Sequence, residues 1–503
     1  MNSRLLLKQT KLWSISMRRF NSEFLPEGGK AFINGKWMNA ISGRTFEVVD
    51  PFSKEILGDV ANCDPSDAQI AVGAAREAFN KWGFETTAKE RGAILNRWFQ
   101  ILTAKQDSLA ELLTKEQGKP LAEAKGEIQY SASFLDWYSG EARRIYGDIV
   151  QAPVLNRQHF HTREPIGVVA IITPWNFPSA MIARKAAAAI AAGCTLVIKP
   201  AQETPYSALA LAQTAQEAGL PSGVFNVIPA DHENTAEISK YLCTAPEVSC
   251  ISFTGSTPVG KLLLSQSAST VKRVCLELGG NAPFIVFDSA DLDVSVQGLI
   301  ASKFRCSGQT CVSANRIYVQ SGIHDKFVEK LKEAISKLVC GNGLDPKTTQ
   351  GPLINDKAIE KVKSLVDDAV TKKATVISGG KVIEGTNLFE PTILTNVTEA
   401  MEIANVEIFG PVVAIQKFDS EDQVLKRANN VRHGLAGYIF TNDYKQIFRV
   451  TRRLETGMIG INEGAISAAE GAFGGVKESG LGREGGRQGI DEFTQWKYLC
   501  LKT

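Results

Sequence analysis

The chain has 503 residues, 44% of them apolar and 22% charged, with a formal net charge of +2. That is the composition of a globular protein of about three domains of roughly 150 residues each, long enough to bury a large core. It excludes a disordered polymer and gives no reason to expect a nucleic-acid or acidic-polymer partner.

Residues 1–22 break the balance locally. Arg4, Lys8, Lys11, Arg18 and Arg19 face no acid there, and Leu5-Leu6-Leu7, Leu12, Trp13, Ile15 and Met17 lie among them. A basic, acid-free, Ser-containing amphipathic start predicts a mitochondrial transit peptide, hence the matrix, with a frayed extension of a cytoplasmic protein as the alternative. Its apolar runs are too short and too charged to span a membrane. Beyond it, apolar residues recur at helical spacing over 66–81, with Ser66 as candidate N-cap, and over 89–113.

Short β-rich runs and small-residue helices then alternate. Val168-Val169-Ala170-Ile171-Ile172 leads into Pro174-Trp175-Asn176-Phe177-Pro178 and a helical stretch at 181–192. The run 194–198 ends in Lys199-Pro200 and precedes a helix around 207–218, and 225–228 and 250–253 are further strand candidates. This alternation predicts a parallel α/β sheet with ligands at the C-terminal ends of its strands. A second alternating stretch covers about 281–460, with strands at 283–287, 316–319 and 411–418 and helices at 326–339 and 357–372. The extended, alternating run 494–501 predicts pairing with another element or a second subunit. The nine cysteines are scattered without a Cys-x-x-Cys, so zinc spacing and a disulfide framework are disfavoured and no metal is expected.

Two segments carry chemistry. Gly308-Gln309-Thr310-Cys311 offers a thiol, and Glu277-Leu278-Gly279-Gly280-Asn281, whose carboxylate lies 34 positions upstream, offers a base. None of the five histidines adjoins a Gly-rich candidate, which counts against a Cys/His hydrolase. Asn176 sits between prolines that would aim its amide. Phe253-Thr254-Gly255-Ser256-Thr257-Pro258-Val259-Gly260 follows a strand and opens a helix, where backbone N–H groups can hold a pyrophosphate, although Gly-x-Gly-x-x-Gly is absent. Arg305, six residues before Cys311, and Arg184, eight after Asn176, could clamp a carboxylate. Taken singly, each has an ordinary explanation: a core thiol, a turn Asn, a Gly/Ser turn, interdomain ion pairs.

Taken together, in this order and spacing, these segments resemble the active-site signatures of the aldehyde dehydrogenase superfamily, from about Phe32 to the C-terminus. The resemblance implies an α/β fold of two parallel-sheet, Rossmann-like domains plus a small β oligomerisation arm. Residues 29–145 and 168–279 would bind the dinucleotide, 280–482 would form the catalytic domain, and 146–167 with 483–503 the arm of a homotetramer or homodimer. It further implies Cys311 as nucleophile, Glu277 as the base for water, and Asn176 with the Cys311 N–H as oxyanion donors. NAD or NADP would be held by Thr173, Trp175, Lys199, Gln202, Gly255, Ser256, Gly260, Leu278, Glu407 and Phe409. Gln202 stands where a carboxylate is frequent, which leaves the choice between the two cofactors open.

Within the superfamily, Ser302-Lys303-Phe304-Arg305 through Cys311 looks most like the succinate-semialdehyde dehydrogenase branch. That implies a small-molecule partner, succinate semialdehyde, held by Arg184, Arg305 and Ser467 and oxidised to succinate in 4-aminobutyrate breakdown. A longer ω-oxo acid such as glutarate semialdehyde, or non-redox acyl transfer on the cysteine, are the alternatives. Three positions depart from the pattern: Ser313 replaces a second cysteine found in some members, leaving Cys306 as the nearby thiol, Ala472 replaces a usual Pro, and Asn405-Val406 replaces a charged pair.

Overall fold

The computed structural model describes Phe24 and residues 28–503. The transit-peptide expectation for 1–22 therefore lies outside the described residues.

Two parallel sheets dominate. In the first, the strands run in the order Lys36–Met38, Ala31–Ile33, Phe225–Val227, Thr195–Lys199, Val168–Ile172, Val248–Thr254, Arg273–Glu277, Gly480–Leu481. The five strands from Phe225–Val227 to Arg273–Glu277 are mutually parallel. Val168–Ile172 and Thr195–Lys199 are buried at every position, as strands covered by helices on both faces should be. The chain steps outward from Val168–Ile172 and then returns to its other side with Val248–Thr254. The crevice between those two strands is a topological switch point, where an open α/β sheet binds ligands.

The second sheet has the order Thr375–Ser378, Thr392–Thr395, Val412–Phe418, Ala314–Gln320, Ala282–Val286, Ala436–Phe440, Met458–Ile461, parallel except at its first strand. The four residues 278–281 connect the last long strand of the first sheet to Ala282–Val286 of the second. The C-terminal ends of one sheet thereby face the N-terminal ends of the other. The short strand Gly480–Leu481 crosses back to pair with Leu276 and Glu277. A third sheet, Thr494–Lys502, Arg157–Pro165, Asp148–Gln151, is antiparallel and largely exposed, so the predicted final strand pairs with another element of the same chain. No helix of the described residues is long and apolar enough to cross a membrane.

Several local expectations need correction. The first helix runs Pro65–Glu85 and is capped by Asp64, not Ser66. Asp64 accepts from the Ser66 N–H while the Asp67 side chain accepts from the Asp64 N–H, and Pro65 takes the first helical position, where no donor is needed. The stretch 89–113 is two helices, Ala88–Ala104 and Gln106–Gln117, broken at Lys105. Apolar spacing carries across that break, and neither Gly nor Pro marks it. The helix Leu121–Glu141, which no sequence signal singled out, packs on Pro178–Ala192.

Candidate active site

Two Pro-led helices beside the first sheet have their buried N-terminal N–H groups satisfied from a distance. Glu127 accepts from Ser179 and Ala180 at the start of Pro178–Ala192, and Glu116 from Tyr206 and Ser207 at the start of Pro205–Glu217. The helix Thr257–Ser267, on the switch-point side, has no side-chain cap. Its first-turn N–H groups suit an anionic ligand such as a pyrophosphate.

A cavity of about 320 Å³ opens where the two sheets meet. Trp175, Asn176, Gly255, Ser256, Leu278, Cys311, Glu407, Phe409, Arg184, Arg305 and Ser467 all line it, so eleven of the residues singled out in the sequence meet on one surface. An adjoining cavity shares Tyr130, Phe177, Arg305 and Ser467 with it and adds Glu123 and Glu127.

Cys311 stands just before the strand Ala314–Gln320, after a tight turn in which Cys306, Ser307 and Gly308 have φ of 51°, 52° and 78°. At Gly308 a Cβ would lie 2.2 Å from the Gly410 carbonyl oxygen, so that position tolerates only glycine. The Asn281 side chain accepts from Asn315 at 2.7 Å, and Asn315 in turn accepts from the Ile408 N–H at 2.9 Å. One amide pair thus ties together the loops bearing Glu277, Cys311 and Glu407. Burial pushes the Cys311 thiol up to about 12; Arg184 and Arg305 oppose this, and Glu407 and Glu277 add to it. Asn176 donates its side-chain amide to the Gln309 carbonyl at 2.9 Å, two residues before Cys311.

Glu277 is buried directly behind the lining, its Oε2 without a hydrogen-bond partner. Burial holds its carboxyl well above the usual range and Glu484 adds to this, while Arg184, Lys185 and Arg483 oppose it. Glu484 is ion-paired with both Arg184 and Lys185. Arg184 is therefore already neutralised in part, with its guanidinium 4.1 Å from the centre of the Phe473 ring. Arg305 makes no ion pair among the described residues and lies 4.6 Å from the centre of the Phe177 ring.

Thr173, Lys199, Gln202 and Gly260 do not line this cavity, whereas Glu407 and Phe409 do. Thr173 has a buried hydroxyl without a partner, and its N–H donates to the Lys199 carbonyl at 3.2 Å. Lys199 donates to Thr235 at 2.9 Å, and burial pushes it down to about 8. Gln202 lies in a separate groove with Glu203 and His232 and accepts from the His232 N–H at 2.7 Å. At Gly260 a Cβ would meet the Leu278 side chain at 2.4 Å, so the glycine lets that side chain pack against the helix. Glu407 accepts from the Gly280 N–H at 3.1 Å and is pushed by burial up to about 7. Phe409 meets the Trp175 ring edge-on, with centroids 5.9 Å apart.

This donor set fits a dinucleotide. An uncapped helix start, a partnerless buried hydroxyl on Thr254 and a half-buried carboxylate at Glu407 share the cavity with Cys311, and Thr173, also with a partnerless hydroxyl, precedes the lining residue Pro174. All nine cysteines are free thiols, and Cys306 is buried against Gln117 and the Asn176 carbonyl.

Sequence reasoning missed Tyr130, Met181 and Phe473 on the lining, and Glu484 behind it. One signal was available for Glu484. Two adjacent cations, Arg184-Lys185, inside an otherwise apolar, Ala-rich helix require a buried counter-ion.

Residues 37–499 match the model of the aldehyde dehydrogenase family. The mitochondrial succinate-semialdehyde dehydrogenase of Homo sapiens is 55% identical over 472 residues, 93% of this chain and 88% of that protein. The glutarate-semialdehyde dehydrogenase of Pseudomonas putida is 51% identical, covering 94% of this chain and 97% of its own. The crystal structure of a succinate-semialdehyde dehydrogenase from Burkholderia pseudomallei superposes with a TM-score of 0.94 at 49% identity, covering 97% of this chain and all of that one.

Proposed function

We propose, for a chain that belongs to the aldehyde dehydrogenase family, that it oxidises succinate semialdehyde to succinate with NAD or NADP as electron acceptor, in 4-aminobutyrate breakdown. The observation that carries this reading is the placement of Arg305, free of any ion pair among the described residues, on the same cavity as Cys311, Asn176 and Ser467. A guanidinium fork suits the far carboxylate of a short ω-oxo acid, and Ser467 adds a hydroxyl donor.

In this reading the Cys311 thiol first loses its proton to solvent, and the thiolate adds to the aldehyde carbon as the carbonyl π bond opens, giving a thiohemiacetal oxyanion. The Asn176 amide and the Cys311 N–H donate to its oxyanion. The bound nicotinamide supplies the two-electron acceptor that turns this adduct into a thioester. Glu277 then takes a proton from water, which adds to the thioester carbon and releases the carboxylic acid and the Cys311 thiolate. Glu407, Phe409 and Trp175 would hold the nicotinamide end, and the uncapped helix start at Ser256 would receive the pyrophosphate. Thr173, Lys199 and Gln202 serve the adenosine end. Gln202, being neutral, does not repel a 2′-phosphate.

The sheet boundary at 278–281 supports assigning 29–145 and 168–279 to dinucleotide binding and 280–482 to catalysis. The exposed three-stranded sheet from 146–167 and 483–503 supports assembly as a homo-oligomer. The basic start of the chain, and the mitochondrial relative, support the matrix as its compartment.

The test is steady-state cofactor reduction with succinate semialdehyde, its one-carbon homologue and acetaldehyde, with NAD and with NADP. Succinate semialdehyde should give the highest kcat/KM, and Cys311→Ala should abolish the signal. Arg305→Ala should weaken use of succinate semialdehyde by about 2–4 kcal/mol relative to uncharged aldehydes. Preference for the longer acid would favour the glutarate-semialdehyde reading that the Pseudomonas putida relative suggests. Equal efficiency on acetaldehyde would defeat both.

A further inference from the structure

We propose that Lys119 and Glu127 are positioning residues for Asn176, setting from behind the orientation of the amide that receives the oxyanion; this rests on the oxyanion role given to Asn176 above. Both side chains are fully buried. Lys119 Nζ lies 2.6 Å from Glu127 Oε2, 2.7 Å from the Asn176 carbonyl oxygen and 3.7 Å from the centre of the Phe177 ring. The other carboxylate oxygen of Glu127 accepts from the Ser179 N–H at 2.9 Å and the Ala180 N–H at 3.2 Å. The pair therefore grips the chain on both sides of Phe177-Pro178.

The grip fixes the direction of the amide. With its carbonyl held by Lys119, Asn176 turns its side chain toward the loop of Cys311. There Oδ1 accepts from the Phe177 N–H at 3.1 Å, and Nδ2 is left to donate to Gln309. Phe177, at the N-cap of the helix Pro178–Ala192, cannot cap it, so this function falls to Glu127 from a helix some fifty residues earlier. A local Ser or Asp cap, with no partner lysine, would serve the helix alone, as Asp64 does for the first helix. Burying a full ion pair costs desolvation, and capping does not require the lysine. Its additional contact is the Asn176 carbonyl.

Lys119 is itself immobilised. Its N–H donates to Gln117 Oε1 at 3.0 Å, and the preceding Gly118, with φ of 92°, packs against Pro51 and Pro352. The anchor thus spans the N-terminal segment and the catalytic half, and reaches the thiol loop through the side-chain amides of Asn176 and Gln117.

The test is single-turnover reduction of NAD by succinate semialdehyde in the full-length enzyme, with the variants Lys119→Met/Glu127→Gln, Asn176→Ala and all three together. The double variant removes both charges and keeps an acceptor for the helix start, so a native far-ultraviolet spectrum and melt are expected. Its reduction step should slow roughly 10- to 100-fold, the scale set by misplacing a reacting group by about 1 Å. Its Kd for NAD should change by less than about twofold. In the Asn176→Ala background the same two changes should slow the step by no more than about twofold further, because residues acting through one group are not additive. A wild-type rate in the double variant, or a loss that multiplies in full onto that of Asn176→Ala, overturns the proposal. A wild-type rate for Asn176→Ala alone overturns the oxyanion reading and this proposal with it, and that arm separates the two failures. Should the double variant lose its fold, Glu127→Gln alone, which removes the charge anchoring Lys119, carries the same comparison.

Discussion

Burial pushes the Cys311 thiol up to about 12 and holds the Glu277 carboxyl well above its usual range. The groups that oppose these shifts are nearby cations, Arg184 for both, with Arg305 at the thiol and Lys185 and Arg483 at the acid. A group that must act as a base is useful only when ionised, and a raised pKa makes the ionised fraction small at low pH and larger as pH rises. Thioester hydrolysis should therefore accelerate with rising pH through the raised value of Glu277. Glu277→Gln should keep the first-turnover burst of reduced cofactor, slow steady turnover by about 10²- to 10⁴-fold, and flatten this pH dependence. Stopped-flow absorbance with a pH series checks all three, and unimpaired steady turnover in the variant would refute the role. At this scale the sequence was informative wherever the chemistry is local. Cys311, Glu277, Asn176 and Arg305 stand out as candidates through residue type and neighbours, and Cys311, Asn176 and Arg305 line one cavity. Glu484 did not, because its significance lies in Arg184 and Lys185, some three hundred positions away.

Among the elements, the long parallel strands and their helices were legible because their cores are uniformly apolar and their ends carry Gly, Pro or a change of period. The cap at Asp64, the break at Lys105 and the helix Leu121–Glu141 were not. In that helix Glu127, Ser131 and Glu141 are buried alongside Ile128, Phe134 and Leu135, so a polar–apolar pattern misreports its inner face. The two-residue strand Gly480–Leu481 was equally invisible, yet it pairs with Leu276 and Glu277 and steadies the backbone of the base. Gly480 has φ of 147°, and a Cβ there would lie 2.0 Å from the Leu276 carbonyl oxygen. Gly480→Ala should therefore destabilise the protein by about 1–3 kcal/mol and slow hydrolysis more than cofactor reduction. Thermal melts and burst kinetics measure the two effects, and an unchanged melt with unchanged turnover would contradict the role given to this strand.

For the molecule as a whole, the decisive arrangement is two parallel sheets meeting end to end, with the cavity between the C-terminal edge of one and the N-terminal edge of the other. The third sheet stands apart and leaves Trp496, Tyr498 and Leu501 about half exposed on an edge strand. Apolar surface on an unpaired strand edge is a docking surface or an aggregation hazard. Removing residues 494–503 should shift the protein in light scattering to a smaller species or to aggregates. A truncated protein with the full-length assembly mass would show that this strand is not part of the interface.

Candidate chemistry could be read along the chain because side chains suited to a nucleophile, a base and an oxyanion donor are recognisable from residue type and immediate neighbours, and alternating strands and helices specify the fold class by the same short-range logic. Folding alone decided how those groups are tuned and aimed. The partners that shift Glu277, share the charge of Arg184 and hold the Asn176 carbonyl come from distant segments, and electrostatic and hydrogen-bonding effects in a buried site depend on separation in space, which position in the chain does not encode.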